Sequence, residues 1–424
     1  MQKRDTQLAL IVCLAFLVLS YPAFRSLTSP DLLAPWLAAE WFQNGQLGDV
    51  YPSQQALFDV RAPQSWQEAM AERGYDGILF PYIYPPLWAA MLAPITAMGN
   101  YPAFHSIVLA VHHLCVLGML FLAWRTAAPA MPLTLYLLLG LLCFLLTPIG
   151  ALALFQNQPQ ILVSFLTVLA IERARAGAGR TAGAVLALAV AIKLAPLFLL
   201  PAICAVGRVR PTLLAFVLVG GGLGLGSIAL AGWPLHVEFL SLLSTISGTS
   251  LASPSSWTLT ALLAQANGFD GALFVPLLPG IIEDDGWWIG PRSLALATIT
   301  TTCQIAIAVL AAWQIRRGAG VLIWPATLIG LSLCAPISWS FHYLAPLAFL
   351  PALAVRWGLV RGGAVALILA APVSFPALSA VGHLSFAPLP EQLIGTLTMI
   401  AMAAVFVAGS LGRESPLHPP ARRV

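Results

Sequence analysis

Long apolar segments recur along the chain, and they restrict it to one broad class of fold. A helix that crosses a lipid bilayer needs about 20 apolar residues, and runs of this kind are bounded here by arginines or by loops rich in proline and glycine. Charged residues make up 8% of the chain, whereas a soluble domain carries about 25%. The segments fall roughly at 8–24, 102–124, 131–149, 160–172, 181–206, 212–231, 291–313, 319–335, 343–355, 362–379 and 391–411. The pattern predicts an all-α polytopic membrane protein with about ten full spans.

The distribution of basic residues orients this predicted bundle. Lys3 and Arg4 precede the first span, and basic residues flanking a span mark its cytoplasmic end. No small-x-small cleavage site precedes Pro22, so the first span is predicted to stay uncleaved. Both termini are then cytoplasmic, including the polar tail 412–424. Residues 1–411 are predicted to form a single integral-membrane domain.

Segment 181–206 needs separate treatment, because arginines precede and follow it on the same predicted side. Two short half-helices that are broken between Lys193 and Pro196 and enter and leave on one side satisfy this pattern, since proline interrupts a helix. One long tilted helix is the alternative. The same orientation requires that the short apolar piece 84–98 does not cross the membrane.

Two longer stretches, 25–98 and 232–290, are predicted to lie outside the cytoplasm, and most of the acidic residues fall in them. They contain the sequences SWQEAMAER and SSWTLTALLAQ, which are typical of amphipathic helices lying along a membrane surface. Trp66 and Trp257 would then lie at the membrane interface, although ordinary loop helices are the other interpretation.

Metal, disulfide and nucleotide sites are not predicted. The six cysteines all lie in apolar runs, without a CxxC pair or a Cys/His cluster. The acidic run EDDGWW at 283–288 is typical of a solvated loop, and the glycines of GGGLGLG at 220–226 favour close helix packing over phosphate binding.

Asp31 and His342 are candidates for acid–base chemistry. Asp31 directly follows the first span, where a carboxylate can act as general base towards a hydroxyl. A solvated acid, or a capping residue for the next helix, is the alternative. His342 lies in PISWSFHYLAP between two predicted spans, where it can bind phosphate or carry a proton, or be structural.

Lys193 and the polar sequence FQNQPQ are candidates for ligand binding. An ammonium within an apolar segment needs a partner, and a lipid phosphate can supply it. A structural ion pair, contacts to freed carbonyls and a lysine that extends to the membrane surface are the alternatives. The amides of residues 155–160 can bind sugar hydroxyls or phosphate, or can form a solvated turn.

Taken in order, these motifs resemble glycosyltransferase family 87, which includes polyprenyl-phosphomannose-dependent mannosyltransferases of the GT-C superfamily. The resemblance extends over most of residues 25–355 and is most specific at FQNQPQ, the basic turn before IKLAP, and SWxxH. It implies a GT-C fold, an extracytoplasmic active site, a polyprenyl-phosphate sugar donor and inversion at the anomeric carbon. Neither a cofactor nor a metal is required by this donor chemistry.

The resemblance also implies roles for individual residues. It assigns the acceptor base to Asp31 and donor-phosphate binding to His342 and Lys193. Charge places Lys193 towards the inner half of the membrane, however, whereas transfer is expected at the outer face. Substrate contacts are implied for Gln156, Asn157, Gln160, Trp36, Tyr84 and Trp339. The family often has Gly where this chain has Gln156, a departure that bears on substrate specificity.

The expected partners are a lipid-linked sugar donor, a glycolipid or polysaccharide acceptor and membrane lipids, with no nucleic acid. The expected location is the inner membrane of a bacterial cell. The alternatives are a secondary transporter or lipid flippase, or a structural membrane protein. A transporter predicts internally repeated halves with paired broken helices, and the sequence contains one broken pair.

Overall fold

The computed structural model describes residues 3–58, 60–207, 209–278, 282–384 and 387–411. The side chains of Gln55, Phe58, Leu277, Leu278 and residues 282–285 are outside this description. The predicted tail 412–424 and the carboxylates of the EDDGWW sequence therefore lie outside the described residues.

The described chain is mainly helical. In the first half the helices are α1 Lys3–Arg25, α2 Pro30–Gln43, α3 Gln54–Phe58, α4 Gln64–Glu72, α5 Pro86–Thr96, α6 Tyr101–Ala127, α7 Leu133–Leu146, α8 Pro148–Phe155, α9 Gln160–Arg175 and α10 Gly179–Ile192. In the second half they are α11 Leu200–Ala205, α12 Val209–Ala231, α13 Trp233–Ser247, α14 Leu259–Ala266, α15 Leu294–Arg316, α16 Ile323–Leu333, α17 Leu344–Leu347, α18 Leu353–Trp357, α19 Leu359–Ala370, α20 Phe375–Gly382 and α21 Pro390–Ser410. Short 3-10 turns occupy Leu47–Asp49, Ala195–Leu199, Ser340–Tyr343, Leu350–Ala352 and Ala371–Val373.

Six helices are long and apolar enough to cross a bilayer in the described part of the chain. They are α1, α6, α12, α15, the α19–α20 unit and α21, and a seventh crossing results if α7 and α8 form one span. The chain is thus a multi-pass membrane protein, but the predicted count of about ten spans is not confirmed. Several predicted spans are shorter helices, such as the 11-residue α16.

Proline accounts for much of this difference. α7 and α8 meet at an angle of 71°, because Thr147 is extended before Pro148, which begins the next helix. Segment 343–355 was predicted to be a span, but it is divided into short helices and a 3-10 turn, with Pro346 and Pro351 inside it. The predicted break after α10 is present, since Lys193 has extended backbone angles.

A small sheet occurs within 232–290, which the all-α prediction did not include. Strands β1 Thr249–Ala252, β2 Leu273–Leu278 and β3 Ile282–Pro291 form an antiparallel sheet in the order β1-β3-β2. On one side it packs through Leu251, Trp287 and Ile289 against Phe80 and Trp339.

The two predicted outer stretches share a hydrophobic core. Residues of α2, α4 and α5 pack there against Leu235, Phe239 and Leu242 of α13. Trp66 and Trp257 are both fully buried, so their side chains face protein and not lipid, which favours the interpretation as ordinary loop helices. Trp66 packs against Trp41, and Trp257 packs against α21, where any side chain at Gly395 would overlap its ring.

Candidate active site

A cavity of about 1070 Å³, here called the central cavity, lies between the outer stretches and the helical bundle. Asp31, Lys193 and His342 all line it, although they are far apart in sequence. Gln156, Gln160, Tyr84 and Trp339 line it as well. Seven of the nine predicted site residues are therefore brought to one cavity.

Asp31 lies in the first turn of α2, directly after Pro30. The N-terminal end of a helix favours a negative charge, so the position suits a carboxylate. Ser29 holds this end in place because its hydroxyl donates to the carbonyl of Phe155, at 2.9 Å, and contacts His105 Nε2 at 2.8 Å. The N-terminal end of α2 is thus attached to the FQNQPQ turn.

Two amides from that turn reach the Asp31 carboxylate. Gln158 Nε2 donates to Asp31 Oδ2 at 2.5 Å. The amide of Gln156, with its nitrogen turned towards Asp31, also donates to the carboxylate, at 3.3 Å from Oδ1. Gln158 is a site residue that the sequence analysis missed, although the polar sequence around it was recognised.

Tyr84 determines which way the Gln158 amide faces. Its hydroxyl donates to Gln158 Oε1 at 2.8 Å, so the amide nitrogen is left to donate to Asp31. The Tyr84 carbonyl in turn accepts from the hydroxyl of Tyr51, also at 2.8 Å. A chain of hydrogen bonds therefore runs from Tyr51 through Tyr84 and Gln158 to Asp31.

Asn157 points away from the cavity and anchors the turn. Its backbone has a φ of 46°, a conformation that asparagine tolerates better than most residues. His112 Nδ1 pairs with Asn157 Oδ1 at 2.7 Å, and Asn157 Nδ2 donates to the carbonyl of His105 at 3.0 Å. The predicted substrate contact from Asn157 is replaced by this fully buried anchor on α6.

Trp36 is the second predicted site residue that does not line the cavity. It is buried on the opposite face of α2, where its ring contacts Phe104 and Tyr101 of α6. One turn and a half of helix separates it from Asp31, so the two side chains point in different directions. Gln160 lines the cavity and donates to Ser164 at 3.3 Å.

Lys193 supplies positive charge close to Asp31. Its Nζ atom lies 5.4 Å from the centre of the Tyr84 ring and 5.7 Å from that of Phe341, distances that allow cation–π attraction. Charge predicted that Lys193 lies towards the inner half of the membrane, and the structure places Lys193 in the same cavity as Asp31 and His342. The extended backbone after α10 allows the side chain to reach it.

Burial raises the pKa of Asp31 to about 7, while the Lys193 ammonium and the Gln158 hydrogen bond oppose that increase. Asp31 therefore titrates near neutral pH, which suits a general base. Burial, and then the charge of Lys193, lower the pKa of His342 well below its ordinary value. In the absence of a bound anion His342 is accordingly a neutral imidazole.

The SWxxH segment is held by the residues that follow β1. Trp257 N donates to the Ser338 carbonyl at 2.9 Å, and Ser340 N donates to the Ser255 carbonyl at 2.8 Å. His342 Nδ1 pairs with Ser338 Oγ at 3.2 Å, which leaves Nε2 available to a ligand. Trp339 lies above Phe341 with nearly parallel rings.

The walls of the cavity come from both parts of the protein. On the side of the helical bundle they are mainly apolar, with Val163, Phe198 and Leu328, and they also include the polar side chains of Ser164 and Gln304. Towards the outer stretches the walls include Asp76, Phe80 and Trp287. Among the described residues, no group of three His, Cys, Asp or Glu side chains is arranged to hold a metal ion.

Comparison with known proteins yields one match. The model of glycosyltransferase family 87 matches residues 82–338, which is more than half of the chain. The matched region contains every predicted site residue except Asp31, Trp36, Trp339 and His342. No curated protein and no solved structure matches the chain.

Proposed function

Since the chain belongs to glycosyltransferase family 87 and is a multi-pass membrane protein, we propose that it transfers a sugar from a polyprenyl-phosphate donor to a glycolipid or glycan acceptor. The sugar is a hexose such as mannose, and the transfer inverts the anomeric carbon. One observation carries the proposal. Asp31, Lys193 and His342 line a single cavity, and most of the wall of that cavity is apolar.

The cavity suits a lipid-linked donor. A sugar on a polyprenyl phosphate combines a polar group, an anion and a long apolar chain. The apolar side chains that α9 and α16 contribute to the cavity offer contacts to the start of that chain. Lys193 and His342 lie where a phosphate can meet a cation and a hydrogen-bond donor. A nucleotide-sugar donor would leave these apolar side chains without a partner.

Asp31 is proposed as the general base. It takes the proton of the acceptor hydroxyl while the hydroxyl oxygen forms a bond to the anomeric carbon from the face opposite the phosphate. The bond from that carbon to the phosphate oxygen breaks, and the electron pair leaves with the polyprenyl phosphate. Lys193 and His342 stabilise the negative charge that develops on this phosphate.

The proposed location is the plasma membrane of a bacterial cell, with the active site outside the cytoplasm and both termini inside, on a GT-C fold. Basic residues concentrate between the apolar segments on one predicted side, and acidic residues concentrate in 25–98 and 232–290. The residues of these two stretches form one wall of the cavity that contains Asp31.

Transfer in proteoliposomes tests this proposal. The wild-type protein should transfer sugar from a polyprenyl-phosphate hexose and not from the corresponding nucleotide sugar. Asp31→Asn should reduce the rate by about 10²–10⁴-fold, as expected for loss of a general base. Asp270→Asn, on an exposed residue outside the cavity, is the matched control. Lipid movement without transfer would instead support a flippase.

A further inference from the structure

A second cavity of about 570 Å³, here called the polar cleft, lies beside the central cavity. Its walls come from residues 48–67 and from one face of α13. The charged residues in these walls are Asp49, Arg61 and Glu238, and none of them forms an ion pair within the described residues. Charged groups of both signs thus line the cleft.

The remaining polar groups of the cleft are amides and hydroxyls. Gln67 donates from its nitrogen to the carbonyl of Ala62 at 2.8 Å, so its side-chain oxygen remains available as an acceptor. Ser241 and Thr245 add hydroxyls from α13. This mixture of carboxylates, amide, guanidinium and hydroxyls matches a neutral polyhydroxylated ligand, which needs both donors and acceptors, better than it matches an ion.

The two cavities share one dividing wall. Leu57 lines both of them. Helix α13 presents Phe239, Leu243 and Ile246 to the central cavity, and Glu238, Ser241 and Leu242 to the polar cleft. Tyr51 lines the cleft, while its hydroxyl bonds to the carbonyl of Tyr84 beside Asp31. A ligand in the cleft therefore lies close to the proposed reaction site.

We infer that the polar cleft binds neutral sugar units of an acceptor glycan, beyond the unit whose hydroxyl reacts. This inference rests on the proposed function, because it extends the acceptor side of that site. It predicts that acceptors with several sugar units bind more tightly than single sugars. The additional affinity comes from hydrogen bonds to Glu238, Ser241 and Gln67.

Direct binding tests the cleft without turnover. The full chain carrying Asp31→Asn, reconstituted in nanodiscs, is titrated by calorimetry with linear tetrasaccharides of mannose and of glucose and with the two monosaccharides. At least one tetrasaccharide should bind more tightly than its monosaccharide. Adding Glu238→Gln and Ser241→Ala should weaken tetrasaccharide binding about tenfold. Adding Ser244→Ala, an exposed residue of α13 outside both cavities, should not.

The inference is overturned if neither tetrasaccharide binds better than its monosaccharide, or if the Glu238/Ser241 variant binds like the Ser244 control. Kinetics separate this failure from failure of the proposed function. In an otherwise native chain, the Glu238/Ser241 variant should raise KM for a long glycan acceptor and leave the KM for the donor unchanged. If the Glu238/Ser241 variant transfers sugar normally with an unchanged acceptor KM, only the inference about the polar cleft is wrong. If the wild-type protein transfers no sugar, the proposed function is wrong. In that case, a loss of tetrasaccharide affinity in the Glu238/Ser241 variant still supports glycan binding in the polar cleft.

Discussion

Gln158 donates a hydrogen bond of 2.5 Å to the Asp31 carboxylate, although 127 positions separate the two residues. The bond stabilises the ionised form of Asp31 in a buried place where desolvation favours the protonated form. Gln158 itself is held by Tyr84. The protonation state of the proposed base is therefore adjustable through residues that need not contact the substrate.

The activity should fall as the pH decreases through about 7, because the pKa of Asp31 is raised to about 7 and only the ionised carboxylate can accept a proton. Gln158→Ala removes a hydrogen bond to the charged form. The pH at which kcat/KM falls on the acid side should therefore increase by about one unit. The measurement is the pH profile of transfer at subsaturating donor. A Gln158→Ala profile that coincides with the wild-type profile contradicts the role of this amide.

Tyr84→Phe should produce a smaller change of the same sign, because the Gln158 amide can then rotate and present its oxygen to Asp31. Tyr82→Phe is a matched control, since the Tyr82 hydroxyl donates to the carbonyl of Pro85 instead. Equal shifts of the acid limb in both variants would indicate a general effect of tyrosine replacement.

Asn157→Ala should lower both the melting temperature and the transfer rate. It removes two buried hydrogen bonds to α6 and places alanine at a positive φ. Each of these two effects should lower the free energy of unfolding by about 1–3 kcal/mol. Asn157→Gly relieves only the backbone strain, so its loss of stability should be smaller. Thermal unfolding monitored in detergent compares the two variants. If Asn157 instead bound substrate directly, the rate would fall with no loss of stability.

Lys193→Met should weaken inhibition by polyprenyl phosphate, the product of the proposed reaction, because the leaving phosphate loses its nearest cation. Lys193→Arg should retain part of this inhibition, since the positive charge is kept. Lys3→Met, which alters the only other lysine, is the control. The inhibition constant is measured in the transfer assay. If the inhibition constant of Lys193→Met equals that of the wild-type protein, Lys193 interacts with Asp31 and does not bind the phosphate.

The orientation of the outer stretches is tested by labelling. In a cysteine-free background, Asp270→Cys should react with an impermeant thiol reagent in intact spheroplasts, because residue 270 is exposed and lies in the stretch 232–290. Gln265 is less suitable for a tag, since it is buried and its side chain accepts from Leu389 N. Reaction only after permeabilisation would place this stretch in the cytoplasm.

Much of the fold could be predicted because hydropathy is a local property. The six bilayer-length helices coincide with predicted apolar segments, and the break at Lys193 follows from the proline after it. The 71° bend before Pro148 was missed, since an apolar run of suitable length conceals a turn inside it. The small sheet was missed because its strands pair at long range within a stretch of mixed composition.

The candidate site, like the fold, could be predicted only in part. Asp31, Lys193 and His342 were identified because polar groups next to apolar segments are conspicuous. The choice among the amides of FQNQPQ was not available from their order. Asn157 turns away through its left-handed backbone, so Gln156 and Gln158 face the carboxylate instead. Trp36 was assigned to the site by its nearness in sequence to Asp31, but it packs against α6.

The amino-acid sequence by itself determined that the chain enters a membrane, roughly where it does so, and which few charged groups it carries there. Only the tertiary structure decided that Asp31, Lys193 and Gln158 meet in one cavity and that Asn157 and Trp36 support it from outside. The physical reason is the range of the forces involved. Burial of an apolar helix depends on neighbouring residues along the chain, whereas the ionisation of a carboxylate depends on charges and donors brought together by folding.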